Sequence, residues 1–101
     1  MHGLEISVLL PKEKRREFLQ ATNFFSCQPY GSEACIKKCL FEDVGEQTHF
    51  LWVERWTDLK SLEAYIESDR FHSLLGAIDV LGELVDLHLV ELNPFSSDIA
   101  K

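Results

Sequence analysis

The segment Phe50–Trp56 constrains the fold most, because it is typical of a strand with large apolar side chains on both faces. Its aromatic residues share one face with an acidic residue, and its aliphatic residues share the other, in the order Phe50-Leu51-Trp52-Val53-Glu54-Arg55-Trp56. One face of a monomeric antiparallel sheet usually meets water and is polar. Exposed apolar area costs about 25 cal/mol per Å², and such patches usually mark interfaces. We therefore expect a second copy of the chain to cover one face; the alternative cover is the C-terminal tail or the broken second helix.

The remaining segments follow the order strand, helix, strand, strand, helix, strand. The predicted strands are His2–Leu10, Glu33–Phe41, Thr48–Trp56 and Leu84–Leu92. The first helix runs from Pro11 to about Phe25 and is followed by a turn at Gln28–Ser32. The second helix is capped by Thr57 or Asp58, breaks at Ser68-Asp69 and is stopped by Gly82 in a C′ role. This order predicts an α+β, ferredoxin-like βαββαβ fold, in which a four-stranded antiparallel sheet carries the helices on one face. The predicted domain covers residues 1–95, and a polar tail covers residues 96–101.

Charge and cysteine content exclude several classes of function. Ten basic and 17 acidic residues give a net charge of −7, which disfavours nucleic acid and anionic membranes as partners. No apolar run approaches the ~20 residues of a membrane span, and the N-terminus lacks a basic signal region, so we expect a cytoplasmic protein. The alternation places Cys35, Cys39 and Phe41 on one strand face, where the two thiols lie roughly 13 Å apart. This separation is too long for a disulfide, and the spacing does not predict a metal site.

The segment from Glu54 to Phe71 resembles the antibiotic biosynthesis monooxygenase family. Glu54 and Trp56 match a strand that ends Glu-x-Trp, Leu62 matches the capped helix, and Ser68 and Phe71 match the opening of a second helical piece. The resemblance implies a dimeric α/β barrel, in which two ferredoxin-like sheets face each other. It also implies oxidation of a quinol or aromatic substrate by O₂ in a pocket between sheet and helices, without a bound cofactor.

Two departures from the family pattern bear on the chemistry. The helix position that usually holds His carries Tyr65, and the position of the haem-ligating His in the haem-degrading branch carries Leu75. The resemblance therefore favours the cofactor-independent branch over the haem-degrading one.

The candidate site residues follow from these matches and from their chemistry. Tyr65 occupies the family's pocket position and can exchange a proton, Glu54 is a carboxylate on an aromatic face, and His88 lies in the middle of the last strand. Tyr65 also fits a core aromatic, Glu54 also fits a structural partner of Lys37, Lys38 or Arg55, and His88 also fits a dimer interface. The residues expected to bind substrate are Trp52, Trp56, Phe71 and Leu75.

Two classes of function follow. The first is a cofactor-independent monooxygenase that oxidises a small aromatic or quinol substrate with O₂. The second is a non-catalytic dimer on the same fold that binds a small apolar ligand or serves in assembly. An open apolar pocket in which Tyr65 meets an ionisable group would favour the enzyme, and a filled cavity would favour the binding protein.

Overall fold

The computed structural model describes residues 1–27, with residues 26 and 27 as backbone only, and residues 34–93. The regular elements are β1 (His2–Leu9), α1 (Arg15–Cys27), β2 (Cys35–Glu42), β3 (His49–Trp56), α2 (Leu59–Ile66), α3 (Asp69–Leu81) and β4 (Glu83–Glu91). A 3-10 turn, Lys12–Lys14, leads into α1. The turn predicted at Gln28–Ser32 and the tail predicted at 96–101 lie outside the described residues. No helix of the described ranges combines the length and apolarity needed to cross a membrane.

The four strands form one antiparallel sheet in the order β2-β3-β1-β4. β1 is central because it pairs with both β3 and β4. Its alternating residues Leu4, Ile6 and Val8 are fully buried on the face that carries the helices. The predicted ferredoxin-like α+β fold is therefore confirmed.

The helices bury side chains that recur at helical spacing. α1 contributes Phe18, Thr22 and Phe25 to the core, and α2 contributes Leu62 and Tyr65. This spacing places one side chain per turn on the sheet-facing side of each helix.

Two polar caps fix where the second helical segment starts and breaks. The carboxylate of Asp58 accepts a hydrogen bond from the backbone N–H of Ser61 at the start of α2, and the hydroxyl of Ser68 accepts one from the N–H of Phe71 at the start of α3. A side-chain acceptor at this position satisfies an N–H that has no partner within the helix. The predicted break at Ser68 is confirmed, and Asp58 rather than Thr57 is the first cap.

Gly82 follows the last residue of α3, as predicted, but the physical reason for a glycine differs from the expectation. Its φ of −157° is extended, so the left-handed C′ conformation is absent. A Cβ at this position would lie 2.4 Å from Cδ2 of Leu10 and 2.7 Å from the carbonyl oxygen of Leu9. A close approach of the end of β1, rather than a backbone conformation, requires the glycine.

The predicted phase of β2 is wrong at its start. The register shifts between Cys35 and Lys37, so that Cys35 lies opposite Trp56 and Cys39 lies opposite Val53. These two partners lie on opposite faces of β3, because a strand alternates its side chains. The irregularity therefore moves Cys35 to the helix-covered face, while Cys39 and Phe41 stay on the other face. Both thiols are free, as the spacing predicted.

The sheet face that carries no helix within the described residues is here called the open face. Its central apolar residues are Leu51 and Val53 of β3, and Phe41 of β2 is half exposed. Glu5, Arg55 and His88 surround them with charge, and the Arg55 guanidinium lies 3.0 Å from the Glu5 carboxylate. The strand with two apolar faces is thus confirmed, and its aliphatic face is the one that lacks a helix.

Candidate active site

Glu54 lies on the helix-covered face, and it is a carboxylate with no exposed area. Its Oε1 accepts a hydrogen bond of 2.9 Å from the indole N–H of Trp56. Its Oε2 accepts bonds of 2.8 Å from the indole N–H of Trp52 and 3.0 Å from the hydroxyl of Tyr65. These three donors supply the hydrogen bonds that a buried carboxylate needs.

The strand geometry explains how this arrangement forms. Residues i, i+2 and i+4 of a strand point to the same face, so Trp52, Glu54 and Trp56 stand in a row. The two indoles flank the carboxylate from either side along the strand, and α2 brings the third donor across the sheet. A Trp-x-Glu-x-Trp sequence on a helix-covered strand thus positions two of the three donors without any long-range contact.

Tyr65 is fully buried beneath α2 and packs in an aromatic stack. Its ring centroid lies 5.0 Å from that of Trp56 and 5.3 Å from that of Phe71. Burial, together with the neighbouring Glu54 carboxylate, raises the pKa of Tyr65 well above its usual value. The phenol therefore stays protonated at neutral pH and acts as a hydrogen-bond donor to Glu54.

Lys38 completes what we call the Glu54 cluster: Lys38, Trp52, Glu54, Trp56 and Tyr65. It lies opposite Glu54 in the β2–β3 register. Its Nζ lies 3.5 Å from the hydroxyl of Tyr65 and 4.5 Å from the centre of the Tyr65 ring. Burial lowers the pKa of Lys38, although the Glu54 carboxylate opposes that shift. A lowered pKa makes the amine form of Lys38 easier to reach than that of an exposed lysine, and an amine can act as a base.

The structure divides the predicted site residues into two groups. Glu54, Tyr65, Trp52 and Trp56 are in direct contact, Phe71 packs on Tyr65, and Leu75 is half-buried against the core behind them. His88 lies apart from this cluster, on the open face. It is paired there with Asp86 at 2.9 Å and Glu5 at 3.3 Å, and these carboxylates raise its pKa.

Sequence reasoning gave Lys38 only as one structural partner of Glu54 and did not single out Arg70. The cross-strand register of β2 and β3 could have selected Lys38, because it places Lys38 rather than Lys37 beside Glu54. Arg70, in the first turn of α3, carries buried guanidinium nitrogens. No spacing rule indicates this burial, since the residue follows an exposed Asp69 in a polar helix start.

Cavities lined by described residues occur elsewhere on the chain. One of about 290 Å³ lies at the edge of the sheet beside Phe41 and Leu51, and one of about 460 Å³ lies beside Leu10 and Gly82. Neither is lined by Glu54 or Tyr65, so the pocket expected beneath Tyr65 stays a prediction. In residues 1–27 and 34–93, no group of three or more His, Cys, Asp or Glu side chains is placed to hold a metal ion.

Comparison with known proteins gives one curated relative and several solved structures. No protein-family model matches the chain. The chain is 26% identical over 91 residues to the Bacillus subtilis protein named "Putative monooxygenase YcnE", a match that covers 89% of this chain and 96% of that protein.

The solved structures agree in fold. A "putative antibiotic biosynthesis monooxygenase" from Deinococcus radiodurans superposes with a TM-score of 0.83 at 16% identity, covering 95% of this chain and 96% of that one. A conserved protein of Bacteroides thetaiotaomicron, described as a "possible oxidoreductase", gives a TM-score of 0.79 at 23% identity, over 90% and 96% of the two chains. The chain therefore has the fold of the antibiotic biosynthesis monooxygenases, and the resemblance that its Glu54-x-Trp56 motif predicted is confirmed.

Proposed function

We propose that this chain is a cofactor-independent monooxygenase that oxidises an electron-rich phenol or quinol with O₂. The observation that carries the proposal is the Glu54 cluster, which joins a buried carboxylate, a protonated phenol and a lysine of lowered pKa. The likeness to proteins named as monooxygenases, in sequence and in fold, supports the reaction class.

The residues of the cluster have different parts in this reaction. Both oxygens of Glu54 accept hydrogen bonds and the side chain has no exposed area, so its part is to hold Trp52, Trp56 and Tyr65 in place rather than to take a proton from substrate. Lys38 is only half-buried and contacts the Tyr65 hydroxyl. The proposed base is therefore Lys38 in its amine form, with Tyr65 orienting it. The aromatic rings of Trp56, Tyr65 and Phe71 form the apolar wall beside it.

The electron balance of the reaction needs no further reagent. Proton transfer from the substrate phenol to Lys38 gives a phenolate, which donates an electron to O₂. The oxygen adds to the neighbouring carbon, and loss of water from the resulting peroxide leaves a carbonyl group. For an anthrone-type methylene, CH₂ plus O₂ yields C=O plus H₂O, and the substrate supplies all four electrons.

The test is oxygen consumption with a panel of reduced quinols and anthrone-type phenols. Lys38→Met is expected to lower kcat by about 100-fold, since a positioned base contributes 10²–10⁴ in rate. The matched control is Lys37→Met, because Lys37 is the exposed neighbour on the same strand, with its Nζ 6.0 Å from the Phe41 ring. The wild-type rate is expected to rise with pH and to level off at the lowered pKa of Lys38. Folded wild-type protein that consumes no O₂ with any member of the panel contradicts the proposal.

We propose that His88 lies outside the reaction site, because it is on the open face of the sheet and Tyr65 is on the helix-covered face. His88→Ala is included in the same assay. An unchanged rate assigns the histidine to the open face alone, and a loss of rate comparable with that of Lys38→Met would contradict the division of the site given above.

We also propose that the open face pairs with a second copy of the chain, as the resemblance implies. Half-exposed Phe41 and the neighbouring Leu51 and Val53 supply its apolar centre. Phe41→Glu is expected to shift the mass measured by sedimentation from dimer towards monomer, and Val44→Glu is the control because Val44 is fully exposed in the β2–β3 connection. A wild-type protein that sediments as a monomer at micromolar concentration contradicts this pairing.

The second candidate function is a non-catalytic dimer that binds a small apolar ligand. One observation favours it: Glu54 and Tyr65 have no exposed area and already satisfy each other. Binding of the aromatic panel without O₂ consumption, and with no effect of Lys38→Met on affinity, would select this function over the enzyme.

A further inference from the structure

Arg70 lies in the first turn of α3, and one edge of its guanidinium group has no hydrogen-bond partner within residues 1–27 and 34–93. Its Nε and Nη2 atoms are both buried, and neither has a hydrogen-bond partner in the part of the chain that the structure describes. Its Cζ lies 5.9 Å from the ring centroids of Phe24 and Phe25. Ring contacts of this kind stabilise the charge, but they leave the N–H groups unsatisfied. Buried donors of a charged group without acceptors are costly.

The two unpaired atoms point to one class of ligand. Nε and Nη2 form one side of the planar guanidinium, and their N–H groups run parallel. This edge matches the two oxygens of a carboxylate, which it binds through two charge-assisted hydrogen bonds. A neutral phenol or quinol offers this edge only one oxygen and no charge, so it matches the edge less well than a carboxylate does.

Arg70 belongs to the surroundings of the Glu54 cluster. The next residue, Phe71, packs on the ring of Tyr65, and the charge of Arg70 acts on the pKa values of both Tyr65 and Lys38. Besides Lys38, the cluster thus has a second cationic side chain in its surroundings, and this one has two buried N–H donors without a hydrogen-bond partner in the described residues.

We propose that the ligand of this site is a hydroxylated aromatic carboxylic acid, whose carboxylate binds the Nε and Nη2 edge of Arg70. The inference rests on the proposed function for the aromatic part of the ligand, and it adds the charge. Arg70 then fixes the substrate, and Lys38 acts on its phenol.

The test is calorimetric titration, under nitrogen, with 2,5-dihydroxybenzoate and with its uncharged methyl ester. Wild-type protein is expected to bind the acid at least tenfold more tightly than the ester, since a charge-assisted bidentate pair supplies that difference. Arg70→Met removes the charge, and Arg70→Lys keeps the charge but removes the paired edge. Both are expected to bind the two compounds with affinities within threefold of each other. The control Arg16→Gln, at an exposed position of α1, is expected to keep the wild-type preference.

Each outcome decides the proposal. Equal wild-type affinities for acid and ester overturn it, as does a full preference for the acid in both folded Arg70 variants. If neither variant folds, the wild-type comparison alone decides. The test is separate from that of the proposed function: a preference for the acid without O₂ consumption removes the monooxygenase and keeps the ligand class. Equal O₂ consumption and equal affinity with both compounds remove the ligand class and keep the monooxygenase.

Discussion

Replacing Glu54 with glutamine changes only one atom of the buried cluster, and it tests whether the side chain is held as an ionised carboxylate. Both carboxylate oxygens accept hydrogen bonds, Oε1 from Trp56 and Oε2 from Trp52 and Tyr65. Glutamine has one oxygen and one NH₂ group. In either orientation, its NH₂ group faces an indole N–H, so that two donors meet and at least one buried bond is lost.

The expected cost follows from these contacts. Hydrogen bonds to a charged group are worth about 1.5–3 kcal/mol, and a buried donor without an acceptor costs about 1–3 kcal/mol. Neutralising the group recovers part of its desolvation cost, so we expect a net loss of about 3 kcal/mol in the free energy of unfolding. Tyr65→Phe removes one of the three donors and leaves both oxygens accepting, so its cost should be smaller, about 2 kcal/mol.

The assay is urea unfolding followed by tryptophan fluorescence, because both tryptophans of the chain belong to the cluster. Protein concentration is held constant, since self-association shifts apparent stability. The control is Glu63→Gln on the exposed side of α2, which should change the stability by less than about 0.5 kcal/mol. A Glu54→Gln protein that unfolds at the same urea concentration as Glu63→Gln would refute the reasoning, and so would a larger loss for Tyr65→Phe than for Glu54→Gln.

Two further predictions concern a glycine within α3 and the glycine that follows it, and the ion pairs of His88 on the open face. Gly82→Ala should lower the free energy of unfolding by about 1–3 kcal/mol, because the added methyl group overpacks against the end of β1. Gly76→Ala should raise the free energy of unfolding by about 0.5–1 kcal/mol, because a Cβ at this helical position meets nothing within 4 Å. Similar melting temperatures of the two variants would contradict this pair of predictions. The raised pKa of His88, due to Asp86 and Glu5, means that its ion pairs stabilise the fold fully below the unfolded-state pKa of about 6.5, and that this stability is lost as pH rises through the folded-state value. Between pH 6 and pH 9 the melting temperature of wild type should therefore fall more than that of His88→Asn, and equal falls would argue against these pairs.

Periodicity was sufficient to predict the fold, because the central strands β1 and β3 and the helices each bury a regular stripe. The break at Ser68 and the end of α3 at Gly82 were also readable, since a hydroxyl cap and a glycine mark helix ends in sequence. The phase of Cys35 was not readable. A register irregularity inserts a residue on one strand only, and the local sequence Cys35-Ile36-Lys37 contains no glycine or proline to mark it.

The candidate site was predictable only where local geometry determined it. Trp52, Glu54 and Trp56 follow from strand alternation, and Tyr65 follows from the helix stripe. Lys38 and Arg70 depend on how β2 pairs with β3 and on where α3 lies over α1, which are long-range relations that no spacing encodes. His88 shows the converse: its place between two leucines was compatible with either face, and pairing with β1 put it opposite Glu5.

The Glu54-x-Trp56 motif and the residues around it have different roles. The Glu54-x-Trp56 ending, which carries the family resemblance, is fully buried and bonded within itself, so its chief effect is to make a rigid aromatic platform. The polar groups proposed to act on a ligand are Lys38, with a lowered pKa, and Arg70, whose Nε and Nη2 edge has no hydrogen-bond partner in the described residues. Substitution of Glu54 should therefore lower the stability of the chain, whereas substitution of Lys38 or Arg70 should change what it binds or oxidises and leave its stability nearly unchanged. Two proteins that share the motif and differ at these two positions would share the fold and differ in substrate.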